Sequence, residues 1–214
     1  MALSTQSLPL FPLDVVLFPG MVLPLHIFEQ RYRKMVRDCL RSGQPFGLVW
    51  TEQEPLDVSG TSRLVGTTAR ITESEPLPDG RLNITTVGGE RFQVHSLTHA
   101  EPYLMGHVEP FPLKQRHTAS VLQLTRQLMP LLTDYLELLN RIANRDLGPE
   151  RMPADHTMLA YIVAVYYQCQ NWRKQELLMI ESLPALMQRE IELLRVEIPL
   201  IRDTLARQAG DRLP

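Results

Sequence analysis

Leu8-Pro9-Leu10-Phe11-Pro12-Leu13, then Leu17-Phe18-Pro19-Gly20-Met21-Val22-Leu23-Pro24-Leu25, is the stretch on which the fold turns. It is apolar enough to be buried, yet a proline interrupts it every few residues. Proline fixes φ and has no N–H to give a sheet. The strands that Pro9, Pro12, Pro19 and Pro24 flank are therefore expected to be short or to lie at an edge.

Outward from there, residues 1–113 hold 11 of the 17 prolines and 9 of the 11 glycines. Short β-branched and aromatic runs between these breakers read as strands near Leu8–Phe11, Val15–Phe18, Phe46–Thr51, Leu64–Thr72, Leu82–Val87, Arg91–Leu97 and Leu104–Glu109. Pro78-Asp79-Gly80 and Gly88-Gly89 read as tight turns between the central strands. One helix is expected over Ile27–Leu40, with Ile27, Phe28, Tyr32, Met35, Val36, Cys39 and Leu40 on its apolar stripe and Gly43 as its stop.

Past Glu109-Pro110-Phe111-Pro112 the apolar period changes to about 3.6. Val121, Leu124, Leu128, Leu131, Tyr135, Leu138 and Ile142 share one face, which continues across Pro130 as a kink. Asp155 caps a second helix through Tyr167, and a short third runs near Arg173–Ile180. Ser182 and Pro184 open a fourth, with Met187, Ile191, Leu194, Ile198, Ile201 and Leu205 inward. The expectation is an α+β chain: a β-rich subdomain over 1–113 and a helical bundle over 114–214.

Composition narrows the function classes. The chain has 214 residues, enough to hide roughly 70% of its surface on folding without a staple. Its 22 basic and 24 acidic residues give a net charge of −2, without the basic surplus that phosphate neutralisation requires. No nucleic-acid partner is expected. Cys39 and Cys169 make no disulfide framework and read as small core residues in a reducing compartment. The N-terminus lacks a basic start and an uninterrupted apolar run, and the longest apolar run, Leu159 to Tyr167, cannot cross a bilayer. A cytoplasmic protein with no membrane partner is the expectation.

Catalytic signatures are missing from the sequence. It contains no Gly-Lys pair for a phosphate-binding loop, no His-Glu for a zinc protease helix, no Gly-x-Ser-x-Gly and no Cys-x-x-Cys. His95, His99 and His107 are the best metal candidates, but neither a cysteine nor a carboxylate cluster completes a ligand set. The pairs Glu52/Glu54 and Glu73/Glu75 flank turns and read as solvated. So do Lys34, Lys114 and Lys174, the last beside Glu181 on a polar helix face. Arg189, Glu190, Glu192, Arg195 and Glu197 read as a solvated mixed-charge helix face. No catalytic residue, metal or cofactor is expected.

The N-terminal run, continued by Ile27-Phe28-Glu29 and Arg31-Tyr32, strongly resembles the start of the Lon protease N-terminal domain. Gly66-Thr67, Ala69-Arg70-Ile71, Asp79-Gly80-Arg81, Gly89-Glu90-Arg91-Phe92 and Tyr103-Leu104 follow in that family's order and spacing. Lys174-Gln175-Glu176-Leu177-Leu178 and Leu183–Glu197 are similar to its helices. The signature residues are Pro9, Phe11, Pro12, Pro19, Gly20, Pro24, Leu25, Phe28, Glu29, Arg31, Tyr32, Gly66, Gly80, Arg91 and Phe92, mostly structural.

The resemblance implies a PUA-like pseudo-barrel with one helix, followed by a helical bundle. It also implies a stand-alone substrate-recognition module without the ATPase and Ser–Lys protease parts of full-length Lon. The function expected is non-catalytic binding of unfolded or weakly structured polypeptide. The alternatives are an adaptor docking one partner, a peptidase by family label, or RNA binding, which the neutral charge opposes. Phe18, Leu23, Leu25 and Ile27 would close the barrel. An edge there, with the exposed tip Met21 and Val22, would let an extended peptide add a strand. Gln30, Arg31 and Lys34 on the first helix would add polar contacts.

Overall fold

The computed structural model describes residues 6–52, 64–99, 101–149 and 151–210. Contacts divide the chain into two compact units, residues 1–112 with 169–179, and residues 113–168 with 180–214.

The first unit contains β1 (Gln6–Leu13), β2 (Val22–Ile27), α1 (Gln30–Ser42), β3 (Phe46–Trp50), β4 (Leu64–Pro76), β5 (Leu82–Thr98) and β6 (Leu104–Pro110). The sheet order is β2-β5-β4-β3-β1-β6, and β6 pairs again with β5. That second pairing closes β1, β3, β4, β5 and β6 into a barrel and leaves β2 outside it. The resemblance implied this pseudo-barrel, and the structure has it.

Two prolines sit inside β1, which is not an edge strand. β1 pairs with β6 over Gln6–Leu10 and with β3 over Leu10–Leu13. Each proline therefore lies where the strand has a neighbour on one side only. Pro9 and Pro12 differ in parity, so their missing donors point to opposite sides. Both can fall on unpaired flanks.

The barrel interior is narrow. Phe92 fills it together with Leu8, Leu10, Val49, Val94 and Val108. A Cβ on Gly47 would come within 2.5 Å of the Phe92 ring, and one on Gly66 within 2.6 Å. A second cluster joins the sheet to α1 through Phe11, Tyr32, Met35, Val36, Cys39 and Phe46. The Phe11 and Tyr32 rings are 4.1 Å apart there. Burial pushes the Cys39 thiol up to about 11, so it packs as an apolar group.

Further expectations fail in this unit. Val15–Phe18 is not a strand, and β2 lies further on as an edge strand, where Pro24 is tolerated because its missing N–H need not face β5. Gly88-Gly89 is not a turn. It lies in mid-β5, where the partner changes from β2 to β6, and a Cβ on Gly88 would collide with the Phe18 carbonyl. The first helix begins at Gln30, so Ile27 ends β2, and Phe28 is exposed instead of facing the core. Leu40 is exposed as well.

The short helix α4 (Asn171–Met179), expected in the bundle, counts with the sheet. Buried polar bonds hold it there: Gln175 donates to the Val65 carbonyl at 2.9 Å, and Arg91 to the Leu178 carbonyl at 2.5 Å. Asn171 adds bonds to the Asp14 carbonyl and carboxylate.

The second unit is built from α2 (Ala119–Ala143), α3 (His156–Tyr166) and α5 (Leu183–Gly210). α2 runs through Pro130 and α5 through Pro199. Asp155 caps α3 by accepting from the Met158 amide at 2.8 Å, as its position implied. Val121, Leu128, Leu132, Tyr135, Leu159, Val163, Met187, Ile191 and Leu194 form the core, while Ile142, expected inward, is exposed. Glu190 departs furthest from expectation. Its place on a charged face read as solvated, yet it has no solvent exposure and neither carboxylate oxygen has a hydrogen-bond partner among the described residues.

Candidate functional site

β2 is built by local sequence logic. Gly20 takes a positive φ of 80°, turning the chain after the buried Val16-Leu17-Phe18. Its amide donates to the Gly88 carbonyl at 2.8 Å, and the Gly88 amide donates to the Met21 carbonyl at 2.9 Å. β2 then runs antiparallel to β5 from Val22↔Val87 to Ile27↔Leu82.

Burial alternates along it. Leu23 and Leu25 pack against the core with Met21, and Ile27 is buried. Val22, Pro24 and His26 face outward, followed by Phe28. Val22 is 59% and Phe28 61% exposed, and the His26 ring stacks near Phe28 with centroids 6.3 Å apart.

β2, the first part of β5 and the second part of β4 form an arm with two free edges among the described residues. The edges differ. Beyond Ala69, β4 carries Glu73, Glu75, a register shift and Pro76, devices that discourage strand addition. The stretch from Val15 to Phe28 that supplies β2 carries no Asp, Glu, Lys or Arg. It offers an apolar edge with only Pro24 to interrupt it.

The outward face of the arm holds an open groove of about 420 Å³ lined by Pro24, His26, Glu73, Glu75, Asn83 and Thr85. His26 Nδ1 lies 2.7 Å from Asn83 Oδ1, and Arg81 reaches His26 Nε2 at 3.3 Å. Thr85 donates to Glu73 at 3.1 Å. The Arg81 backbone and side chain hold the Asp79 carboxyl below its ordinary value.

The residues singled out from sequence fall in two places. Val22 opens β2 and Met21 precedes it, but only Val22 is exposed, because Met21 packs on the core. Gln30 and Arg31 begin α1 beyond the other end of β2, about 17 Å along the strand from Val22. Arg31 is occupied by Glu29 at 2.9 Å and by the Tyr32 face at 4.5 Å. Lys34 bonds Asp38 at 2.8 Å and Glu101 at 3.0 Å, which raises its pKa. Tyr103, buried and donating to Asp38, is pushed up to about 12. Sequence reasoning missed Phe28, which it turned inward, and the outward His26.

The other candidates resolve differently. His95 pairs with Glu109 at 3.1 Å, and no three potential ligands converge among the described residues. Lys114 bonds Glu181 at 2.6 Å, and Glu181 lies past the end of α4, not on its face. Lys174 is half-buried, contrary to its solvated reading, and burial lowers its pKa. Glu54 lies outside the described residues. No described helix is long and apolar enough to cross a membrane.

A pseudo-barrel carrying an open-edged arm is followed along the chain by a helical unit. Residues 7–196 match the model of the ATP-dependent protease La (LON) substrate-binding domain, and the chain belongs to that family. It is 24% identical over 217 residues to the Lon protease of Rhizobium meliloti (strain 1021), covering 97% of this chain and 27% of that protein. The Lon protease of Buchnera aphidicola subsp. Baizongia pistaciae (strain Bp) is 25% identical over 201 residues, 89% of this chain and 26% of that one. The chain thus spans about a quarter of the length of these curated relatives. Among solved structures, the Lon N-terminal domain protein from Xanthomonas campestris is 27% identical with a TM-score of 0.56, covering 86% of this chain and 96% of that one. The N-terminal domain of the Mycobacterium avium complex Lon protease has a TM-score of 0.70 at 18% identity, over 89% and 98% of the two chains, and shares the fold.

Proposed function

We propose that this chain holds unfolded or weakly structured polypeptide segments and performs no catalysis on them. Membership of a substrate-binding domain family supports the general role. The observation that carries the reading is the edge of β2 that no strand among the described residues pairs, flanked by exposed Val22 and Phe28. Apolar surface beside unsatisfied backbone groups suits an extended chain whose own backbone lacks partners. Contacts of this size give modest affinity, since ordering a flexible segment offsets much of the gain.

Fluorescence anisotropy of a labelled, reduced and alkylated polypeptide, titrated with this protein without nucleotide, tests the reading. Saturable binding in the micromolar range is expected. No binding up to the solubility limit would overturn it. Incubation with casein, with and without ATP, should leave the casein intact. Cleavage that persists through exhaustive removal of contaminating proteases would contradict the non-catalytic role.

A further inference from the structure

We propose that the polypeptide is held as an added strand on the outer edge of β2, and that the favoured segment is uncharged. This rests on the polypeptide-binding reading above and adds the mode and the chemical class.

The phase of β2 decides which backbone groups are available. Antiparallel pairs alternate between those that exchange hydrogen bonds and those that do not. The Gly88 amide donates to the Met21 carbonyl, while the Gly88 carbonyl accepts from Gly20 and the Met21 amide donates to Phe18, so the Met21 carbonyl points towards β5 and sets the phase of the ladder that follows. Continued along the register, that phase makes Leu23–Thr86, Leu25–Ile84 and Ile27–Leu82 the bonded pairs. Val22, Pro24 and His26 therefore direct their backbone groups away from β5, towards the open edge. Pro24 falls in this set, so its missing N–H takes nothing from the β2–β5 ladder.

The edge thus presents three carbonyls, from Val22, Pro24 and His26, but only two amides, from Val22 and His26. An added strand would donate three hydrogen bonds and receive two. Every second residue of that strand must keep its N–H, and prolines are tolerated only between them. In an antiparallel arrangement the side chains at those positions would stand on the face of Val22 and His26. The run from Val15 to Phe28 offers no counter-charge, and the charges nearest it are engaged, Arg81 by Asp79 at 2.6 Å, Glu73 by Thr85 and Glu75 by Asn83. Desolvating a charge without a partner is costly. The occupant is therefore a neutral, extended segment of another polypeptide.

Three variants test this against the same labelled polypeptide, with circular dichroism to confirm folding. Val22→Pro removes an outward amide and should weaken binding about fivefold, the loss of one net hydrogen bond. Val22→Thr keeps the amide and the branched shape and should stay within about twofold. Pro24→Val supplies the missing amide and should tighten binding several-fold; it carries the test alone if Val22→Pro does not fold. Binding should also change little between low and high salt.

If wild type binds but Val22→Pro matches it, or Pro24→Val gives no gain, strand addition is overturned and polypeptide binding stands. Steep loss of binding with salt would overturn the neutral class. If wild type binds nothing, both readings fall. Self-association without the probe that Val22→Pro abolishes would place a second copy of this chain on the edge and overturn the foreign occupant.

Discussion

Met21, the residue before β2, is tied to Gly88 of β5, the Gly88 amide donating to the Met21 carbonyl at 2.9 Å. This one bond sets the phase of β2, and hence which side chains are packed and which backbone groups look outward. Gly88 can take that place because it has no Cβ to strike the Phe18 carbonyl.

Gly88→Ala should therefore destabilise the first unit by about 2 kcal/mol or more, since backbone cannot yield as a flexible side chain does. Urea unfolding measures it. A midpoint equal to wild type would show that the segment from Phe18 to Met21 is free to move.

Neighbouring residues should separate packing from recognition. Met21 packs on the core, so Met21→Ser should cost about 1–3 kcal/mol in thermal or urea unfolding. Val22 is exposed, so Val22→Ser should cost less than about 1 kcal/mol while weakening capture of unfolded polypeptide. Equal stability losses in the two would remove the distinction.

Gln175 ties α4 to β4 by its bond to the Val65 carbonyl. Gln175→Ala should destabilise by about 1–3 kcal/mol, because a buried polar partner is lost. A neutral result in urea unfolding would mean that water replaces the amide.

Glu190 should give the second unit a falling stability with rising pH. Burial raises its carboxyl well above the ordinary value of 4.5. Above that ordinary value the unfolded chain has released its proton and the folded one has not. The folded state then binds more protons, so stability declines until pH reaches the raised folded value. Below 4.5 both forms are protonated, and this contribution is fully present. One group allows a slope of at most about 1.4 kcal/mol per pH unit. Urea unfolding from pH 5 to 8 should show a slope that Glu190→Gln removes, and Glu190→Leu should be more stable than wild type near pH 7. An unchanged slope in Glu190→Gln would assign it to other groups.

Sequence periodicity was informative where one face decides the structure. The α2 stripe continues across Pro130, and Asp155 caps α3, because both signals are local. Pro24 gave the edge character of its strand but not its position, since Val15–Phe18 is as apolar as Val22–Ile27. The Gly88-Gly89 pair looks the same in sequence whether it turns a chain or makes room for one. Only the tertiary approach of Phe18 distinguishes them. Phe28 sits at helical spacing from Tyr32, but the helix starts after it, so the period extended one step too far. Glu190 was hidden by its charged neighbours, and burial is not written into their spacing.

Amide hydrogen exchange read by NMR, with and without saturating unfolded polypeptide, tests the edge most directly. Leu23 and Leu25 amides belong to the β2–β5 ladder and should be protected in both states. Val22 and His26 amides face the open edge and should exchange quickly alone, then slow by tenfold or more in the complex. Bound polypeptide that leaves Val22 and His26 exchanging as before would place the binding surface elsewhere.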